Sequence, residues 1–236
     1  MRALVGLDKP AGVSDDDFVT LVGCEDGGGD NDYEDLAFMF IGPRMKEVTV
    51  VEDVVTKRYM MEDLGDTDDF DFNDVVVDVS EVSRKTITWR ENDNHVMENV
   101  GESDPVISQE AIVRAAGGIY NFTLTIGETS WSKSDDLNVS EMRNTGWQGA
   151  PIDYSAELAK FPVTGWVPKD NNITLTVYLP DGNQSLDAPV QTITFPKKGT
   201  APKMIAVDAT EEWNWMKERQ GVPGPNDPNP WWYDED

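Results

Sequence analysis

The sequence predicts an all-β protein: a jelly-roll-like β-sandwich with long loops and at most one or two short helices. Short segments rich in Val, Ile, Thr and aromatic residues recur along the chain, and turns that contain glycine or proline separate many of them. The 236 residues are 39% hydrophobic and include 8 Phe, 8 Trp and 6 Tyr, which can supply a core despite the net charge of -26. We therefore expect a folded β domain rather than a disordered chain.

The predicted strands follow one another along most of the chain. Gly117 and Gly118 lie between two of them and predict a hairpin, because two glycines allow positive φ at both turn positions. Helix is the competing interpretation for residues 108–116, SQEAIVRAA, on the basis of propensity. The predicted strands are 2–8, 17–25, 46–51, 56–62, 85–90, 110–116, 120–126, 172–179, 190–195 and 203–207, with two more after the acidic loops, from Leu36 and from Val75.

The remaining segments complete one compact β-sandwich over residues 1–236. Residues 127–168 are irregular in pattern, and a loop this long usually has a function or short elements of its own. Residues 211–220 predict a short helix, and 221–236 predict a strap or tail on the surface. Because the chain opens on strand-like sequence, we expect it to be excised from a longer surface protein whose targeting segment is missing.

Composition excludes several classes of function. A net charge of -26 repels phosphates, so nucleic acid is not an expected partner. The sequence contains no apolar run of 18 residues, so no membrane-spanning helix is predicted. The only cysteine, Cys24, excludes an internal disulfide, and one Cys with one histidine, His95, is too few for a zinc site or a histidine-based triad.

The most acidic stretch, residues 62–74, contains seven carboxylates and no Lys or Arg. Neighbouring like charges repel by about 1 kcal/mol per pair even in water, so positive charge must come from elsewhere. The oxygen ligands of Asp69, Asp71 and Asn73 alternate along the chain, and a hard divalent cation prefers such ligands. Calcium suits a flexible loop better than magnesium does, so the sequence predicts a calcium loop.

An earlier acidic loop, residues 25–35, repeats this pattern 39 positions before it. Ligand side chains and core side chains cannot share one face of a continuous strand, so each acidic segment is expected to be the loop of a hairpin. The two hairpins could pool their ligands in one site or hold two. The predicted calcium ligands are Glu25, Asp26, Asp30, Asp32, Asp35, Glu62, Asp63, Asp69, Asp71, Asn73 and Asp74.

Two other interpretations of the acidic loops were weighed. Most acidic runs are solvated surface, but this one repeats and leads directly into strands. An EF-hand is excluded, because the loop that starts at Asp69 lacks the glycine at its sixth position and the glutamate at its twelfth.

Longer motifs carry a family resemblance. They are RYMMEDLGDTDDFDFNDVVVDV at 58–79, VRAAGG at 113–118, NTG at 144–146 and the run APKMI with WNWMKER at 201–219. Together they resemble the LruC-type domain, a domain of unknown function that is named after a leptospiral outer-membrane lipoprotein and is frequent in surface proteins of Bacteroidetes. The segment GCEDGGGDNDYEDLAFMF at 23–40 is similar to an acidic motif of bacterial extracellular proteins that are thought to bind calcium.

The resemblance implies a mostly β, secreted or surface-anchored domain with calcium sites and no established activity. The chain departs from the pattern where Glu34 replaces the usual Asn and where a family-typical His is absent near Trp131. By motif position, the implied ligands are Asp30, Asp32, Asp35, Asp69, Asp71, Asn73 and Asp74.

The function expected from the sequence is therefore non-enzymatic: an extracellular or outer-membrane surface domain with structural calcium that serves adhesion or recognition of a glycan or protein partner. The alternative is a calcium-assisted carbohydrate-binding module, because exposed aromatic rings stack on sugars. A glycan-processing enzyme is a weaker third hypothesis, since carboxylate pairs arise by chance among 45 Asp and Glu residues. The candidate sugar platforms are Trp147, Trp166, Trp231 and Trp232.

Overall fold

A computed structural model shows the expected all-β architecture, with antiparallel sheets and almost no helix. The first acidic loop, most of the second and the C-terminal tail lie outside the described residues. The predictions for Glu25, Asp26, Asp30, Asp32, Asp35, Asp69, Trp231 and Trp232 therefore also lie outside them. The described residues are 2–4, 12–14, 17–24, 36–63, 71–92, 94, 96–178, 189–197, 202–209 and 214–218.

Thirteen strands run through the described ranges, together with one short helix, α1 (Lys133–Asp136), and a 3-10 turn at Trp147–Gly149. Within these ranges no helix is long and apolar enough to cross a membrane. The strands are β1 (Arg2–Leu4), β2 (Asp17–Cys24), β3 (Leu36–Pro43), β4 (Lys46–Met61), β5 (Val75–Glu91), β6 (Met97–Glu102), β7 (Val106–Ala115), β8 (Asn121–Ile126), β9 (Thr129–Ser132), β10 (Ala159–Val163), β11 (Ile173–Tyr178), β12 (Pro189–Thr194) and β13 (Met204–Asp208).

Several predicted elements differ from those observed. The two strands predicted at 46–51 and 56–62 form one strand of 16 residues, β4. The helix considered for 108–116 does not form, because alternate residues of β7 (Ala111, Val113 and Ala115) are buried, and this period of two suits a strand. Residues 214–218, the described part of the helix predicted at 211–220, are not helical.

The chain divides into two compact units, whereas the sequence predicts one. The divisions fall inside the long strands β4 and β5. Unit 1 comprises Met1–Glu52 and Arg84–Val106, and unit 2 comprises Asp53–Ser83 and Ile107–Asp236.

Unit 1 contains the three-stranded sheet β1-β2-β3 and the hairpin predicted around the first acidic loop. Strands β2 and β3 are antiparallel, with Cys24 opposite Leu36, so residues 25–35 connect paired strands as expected. The unit also holds β6, which pairs with β5.

Unit 2 is a sandwich of two sheets. One has the strand order β10-β7-β5-β4-β13, and the other has the order β12-β11-β8-β9. Its main core contains residues from both sheets, with alternate residues of β5 facing inward. The largest contributors are Tyr59, Met61, Val75, Val77, Val79, Phe122, Leu124, Ile126, Trp166, Leu175, Val177 and Met204.

The opposite face of the first sheet carries a smaller apolar cluster and a buried ion-pair group. Trp215 packs in that cluster with Met60 and Val76. Beside it, Arg58 Nε lies 2.7 Å from Asp78 Oδ1, and Arg114 Nε lies 2.8 Å from Asp78 Oδ2. The Asp78 side chain is only 5% exposed, so its charge depends on the two guanidinium groups.

We expect Asp78→Ala to lower the free energy of unfolding by about 3–5 kcal/mol, because two largely buried guanidinium groups then lose their anion. Glu52→Ala is the matched control. It breaks a pair with Arg84 between the same two strands, but those side chains are 43% and 58% exposed, so its cost should be below about 1 kcal/mol. Urea denaturation followed by tryptophan fluorescence measures both, and equal effects would contradict this account.

Candidate functional site

The two ends of the second acidic loop are folded into unit 2 rather than projecting into water. Glu62 and Asp63 follow β4, whereas Asp71 and Asn73 precede β5, and all four are at most 5% exposed. Asp74 is half-buried. Because β4 and β5 are neighbours in the sheet, these five predicted ligands lie at the same end of the strand pair.

Hydrogen bonds between the two ends close the loop. The backbone N–H of Asp63 donates to Asp74 Oδ2 at 2.8 Å, and the N–H of Phe72 donates to Glu62 Oε1. Phe72 is in the left-handed region, with φ of 54°, which is costly for a large side chain and is held here by burial of its ring. The loop ends are therefore fixed by contacts that involve the acidic side chains themselves.

Three buried oxygens at this position have no hydrogen-bond partner among the residues that the structure describes: Asp63 Oδ2, Asn73 Oδ1 and Thr145 Oγ1. Each such group costs about 1–3 kcal/mol relative to hydration in the unfolded chain. The side-chain nitrogen of Asn73 donates a hydrogen bond to Met216 O at 3.1 Å. In this side chain it is therefore the oxygen that lacks a described partner. The site is thus rich in acceptors and poor in donors.

The unpartnered oxygens face Gly117 and Gly118. A Cβ placed on Gly118 would lie 1.9 Å from Asp63 Oδ2, and one placed on Gly117 would lie 2.8 Å from Asn73 Oδ1. Both distances are too short for real atoms, so only glycine allows this close approach. Thr145 closes the same place, because its Cγ2 would be 2.7 Å from a Cβ on Gly117.

This geometry corrects the hairpin predicted at the two glycines. Strands β7 and β8 belong to different sheets, so Gly117 and Gly118 connect the two layers of the sandwich. Neither glycine is among the described residues with positive φ. The glycines are required by the carboxylate and amide packed on them, not by the turn conformation.

A buried lysine lies on the other side of Gly118. Lys133 is fully buried at the start of α1, and its Nζ donates to Gly118 O at 2.6 Å, Val139 O at 2.8 Å and Glu141 O at 3.2 Å. The acidic run predicts a metal ion as the source of positive charge, whereas Lys133 supplies part of that charge. The Ser132 to Asp135 capping box indicates where α1 begins, but no sequence signal indicates that Lys133 points inward.

Burial shifts the pKa values of both charged groups. Desolvation raises the pKa of Asp63 to about 6, although a hydrogen bond with Asp74 and the charge of Lys133 oppose the shift. Desolvation lowers the pKa of Lys133 to about 8, against the attraction of the charges on Asp63, Asp74 and Glu141. The site therefore holds both ionised groups at a desolvation cost that their mutual attraction offsets only in part.

The described residues do not complete a metal site by themselves. Among them, no three His, Cys, Asp or Glu side chains are grouped so that they could hold a metal ion. The oxygens of Asp63 and Asn73 fit a hard cation in type, but its remaining ligands would have to come from elsewhere.

The two described tryptophan candidates have different environments. Trp166 is 2% exposed, and its Nε1 donates to the Tyr59 hydroxyl at 3.1 Å within the core, so it differs from the exposed platform that was expected. Trp147 is half-buried and opens the 3-10 turn between Gly146 and Gln148, both of which have positive φ.

We expect Gly118→Ala to lower the melting temperature strongly, because its methyl group would overlap the buried Asp63 carboxylate. Gly101→Ala is the control, since a Cβ at Gly101 meets no atom within 4 Å. Differential scanning calorimetry compares the two variants. Equal melting temperatures would show that Asp63 can leave this position freely.

A second prediction concerns pH. The pKa of Asp63 is about 6 in the folded protein and 3.8 in its ordinary state, so the folded chain keeps this proton between about pH 4 and 6 while the unfolded chain loses it. The associated stability is therefore present below about pH 4 and lost as the pH rises through about 6. Asp63→Asn, which stays neutral, should gain in melting temperature relative to the native chain over this interval when calcium is absent.

Asp104→Asn makes the same substitution at an exposed position and is the control for the pH series. Thermal melts in chelator at pH 4, 5, 6 and 7 supply the measurement. An Asp63→Asn difference that stays flat across the series would contradict a buried, destabilised carboxylate.

Comparison with protein-family models, with curated proteins and with solved structures finds no match. The resemblance to the LruC-type domain therefore stays a prediction from the motifs.

Proposed function

We propose that this chain is a non-enzymatic extracellular or cell-surface domain whose loop 62–74 binds calcium as a structural ion, in support of adhesion or recognition. One observation carries the proposal: Asp63 Oδ2 and Asn73 Oδ1 are buried at the two ends of that loop and have no hydrogen-bond partner within the described ranges. A calcium ion would satisfy these two acceptors, for which the described part of the chain supplies no donor.

The chemistry of the loop fits this ion. Calcium takes six to eight oxygen ligands, including carboxylates, amide oxygens and backbone carbonyls. The ends of the loop offer a carboxylate and an amide oxygen, and the intervening sequence contains Asp66, Asp68 and Asp69. The described part alone cannot complete the coordination shell, so we propose that its remaining ligands include Asp69, which the sequence predicts as a ligand.

Lys133 limits how much positive charge the ion must add. Its ammonium group attracts the charges of Asp63 and Asp74, so one cation is already built into the fold at the base of the loop. We therefore propose a single calcium ion at this loop. The lysine would hold the loop ends near their folded positions before the ion binds.

The surface role rests on the motif resemblance and on charge. A net charge of -26 disfavours phosphate-bearing partners and favours solubility outside the cell. Calcium that binds only the folded state stabilises it by about 2.7 kcal/mol at a hundredfold excess over Kd, so extracellular calcium would act as a folding cue.

Thermal melts with and without calcium test the proposal at matched ionic strength. The native chain should melt at a higher temperature in calcium than in chelator, and magnesium should have a smaller effect. Asp63→Asn and Asn73→Ala should lose most of the calcium-dependent shift, whereas Asp104→Asn should keep it. Isothermal titration calorimetry of the same proteins gives the number of ions bound.

Variants of the first loop separate this site from its repeat. Asp30→Asn leaves loop 62–74 intact, so it should not abolish calcium binding there. A calcium shift that survives Asp63→Asn and Asn73→Ala but disappears in Asp30→Asn would assign the ion to the first loop. If calcium does not raise the melting temperature of the native chain, the proposed calcium site is wrong.

A further inference from the structure

Residues 214–218 are neither helix nor strand but are docked on the sandwich of unit 2, and we call them the docked segment. The side chain of Trp215 is buried and packs in the smaller apolar cluster with Met60 and Val76. The guanidinium carbon of Arg58 lies 5.3 Å from the centroid of the Trp215 ring, which is within the range of a cation–π contact. One buried aromatic side chain therefore anchors the docked segment to the first sheet.

Hydrogen bonds hold the docked segment to a second part of the chain. The Nε1–H of Trp215 donates to Asn144 O at 3.0 Å, and the backbone N–H of Glu218 donates to Thr145 O at 2.9 Å. Thr145 is buried, and its Cγ2 is one of the atoms that a Cβ on Gly117 would meet. The docked segment is therefore connected to the place where the ends of the second acidic loop are packed.

The side-chain amide of Asn73 joins the docked segment to the loop directly. Its Nδ2 donates to Met216 O at 3.1 Å, whereas its Oδ1 is one of the two acceptors proposed above as calcium ligands. The two atoms belong to one planar amide that is fully buried, so the direction of one fixes the direction of the other. Asn73 can therefore serve the loop and the docked segment at the same time only in one orientation.

We propose that calcium binding at loop 62–74 and docking of residues 214–218 are coupled through Asn73, so that each strengthens the other. This inference rests on the calcium site proposed above. Calcium on Asn73 Oδ1 would hold the amide in the orientation that donates to Met216 O, and that hydrogen bond would hold the oxygen in place for the ion. Because coupling is reciprocal, calcium favours docking by the same factor by which docking raises the affinity for calcium.

Hydrogen exchange of the full chain, with and without calcium at matched ionic strength, tests whether the ion strengthens docking. The Glu218 amide reports local opening of the docked segment, because it is bonded to Thr145 O. Its exchange should slow by about fivefold or more in calcium, the lower end of typical coupling. The control is the amide of Glu128, which donates to Thr164 O at 2.8 Å after the end of β8, whereas the glycine pair precedes the start of β8. Its exchange should slow less.

Trp215→Phe tests the coupling in the reverse direction. It keeps an aromatic ring in the cluster but removes the hydrogen bond to Asn144 O, so docking should weaken. Isothermal titration calorimetry should then give a calcium Kd about two- to tenfold higher than that of the native chain, the change expected for one net hydrogen bond. Asn214→Ala is the control, since it changes an exposed side chain of the same segment and should bind calcium like the native chain.

The outcomes separate this coupling from the calcium site itself. Calcium binding that leaves the exchange of the Glu218 amide unchanged would overturn the coupling and leave the calcium site standing. Equal calcium Kd values for folded Trp215→Phe and the native chain would do the same. If circular dichroism shows that Trp215→Phe is unfolded, the exchange measurement on the native chain decides the question. A native chain that binds no calcium in the titration would overturn both proposals.

Discussion

The contact of the Asp63 carboxylate and the Asn73 amide with the backbone of Gly117 and Gly118 is the constraint on which the site depends. It places buried oxygens against a glycine pair that connects the two layers of the sandwich. In the same connection, the carbonyl oxygen of Gly118 accepts a hydrogen bond from the Lys133 ammonium group. The ends of the second acidic loop, the connection between β7 and β8 and the start of α1 therefore meet at Gly117 and Gly118, where a side chain would overlap its neighbours.

Unit 2 contains two buried carboxylates, those of Asp78 and Asp63, in different electrostatic environments. Asp78 is held between Arg58 and Arg114, so its charge is compensated by direct ion pairs on the outer face of the sheet. Asp63 has no such pair, and burial raises its pKa to about 6. The first arrangement is complete within the protein, whereas the second leaves Asp63 Oδ2 without a hydrogen-bond partner in the described part of the chain.

The proposed calcium ion would act within unit 2. It would stabilise the sandwich at the end of β4 and β5, where the acidic loop meets the two strands.

The β class and most of the strands follow from the sequence alone. Alternating apolar residues and turn residues indicate the strands, and an acidic run between two strands predicts a hairpin loop. The structure places Glu62, Asp63, Asp71, Asn73 and Asp74 at one end of β4 and β5, whereas their role as calcium ligands stays a prediction.

What surrounds those residues depends on the three-dimensional fold. Lys133 and Thr145 are distant from the loop in sequence, and nothing local shows that they turn towards it. The glycine pair predicted a turn because glycine permits positive φ, but its actual role is to let Asp63 and Asn73 approach, and such an approach depends on how two sheets stack. Propensity describes a residue in its own segment, whereas burial and charge pairing depend on residues that the fold brings from far along the chain.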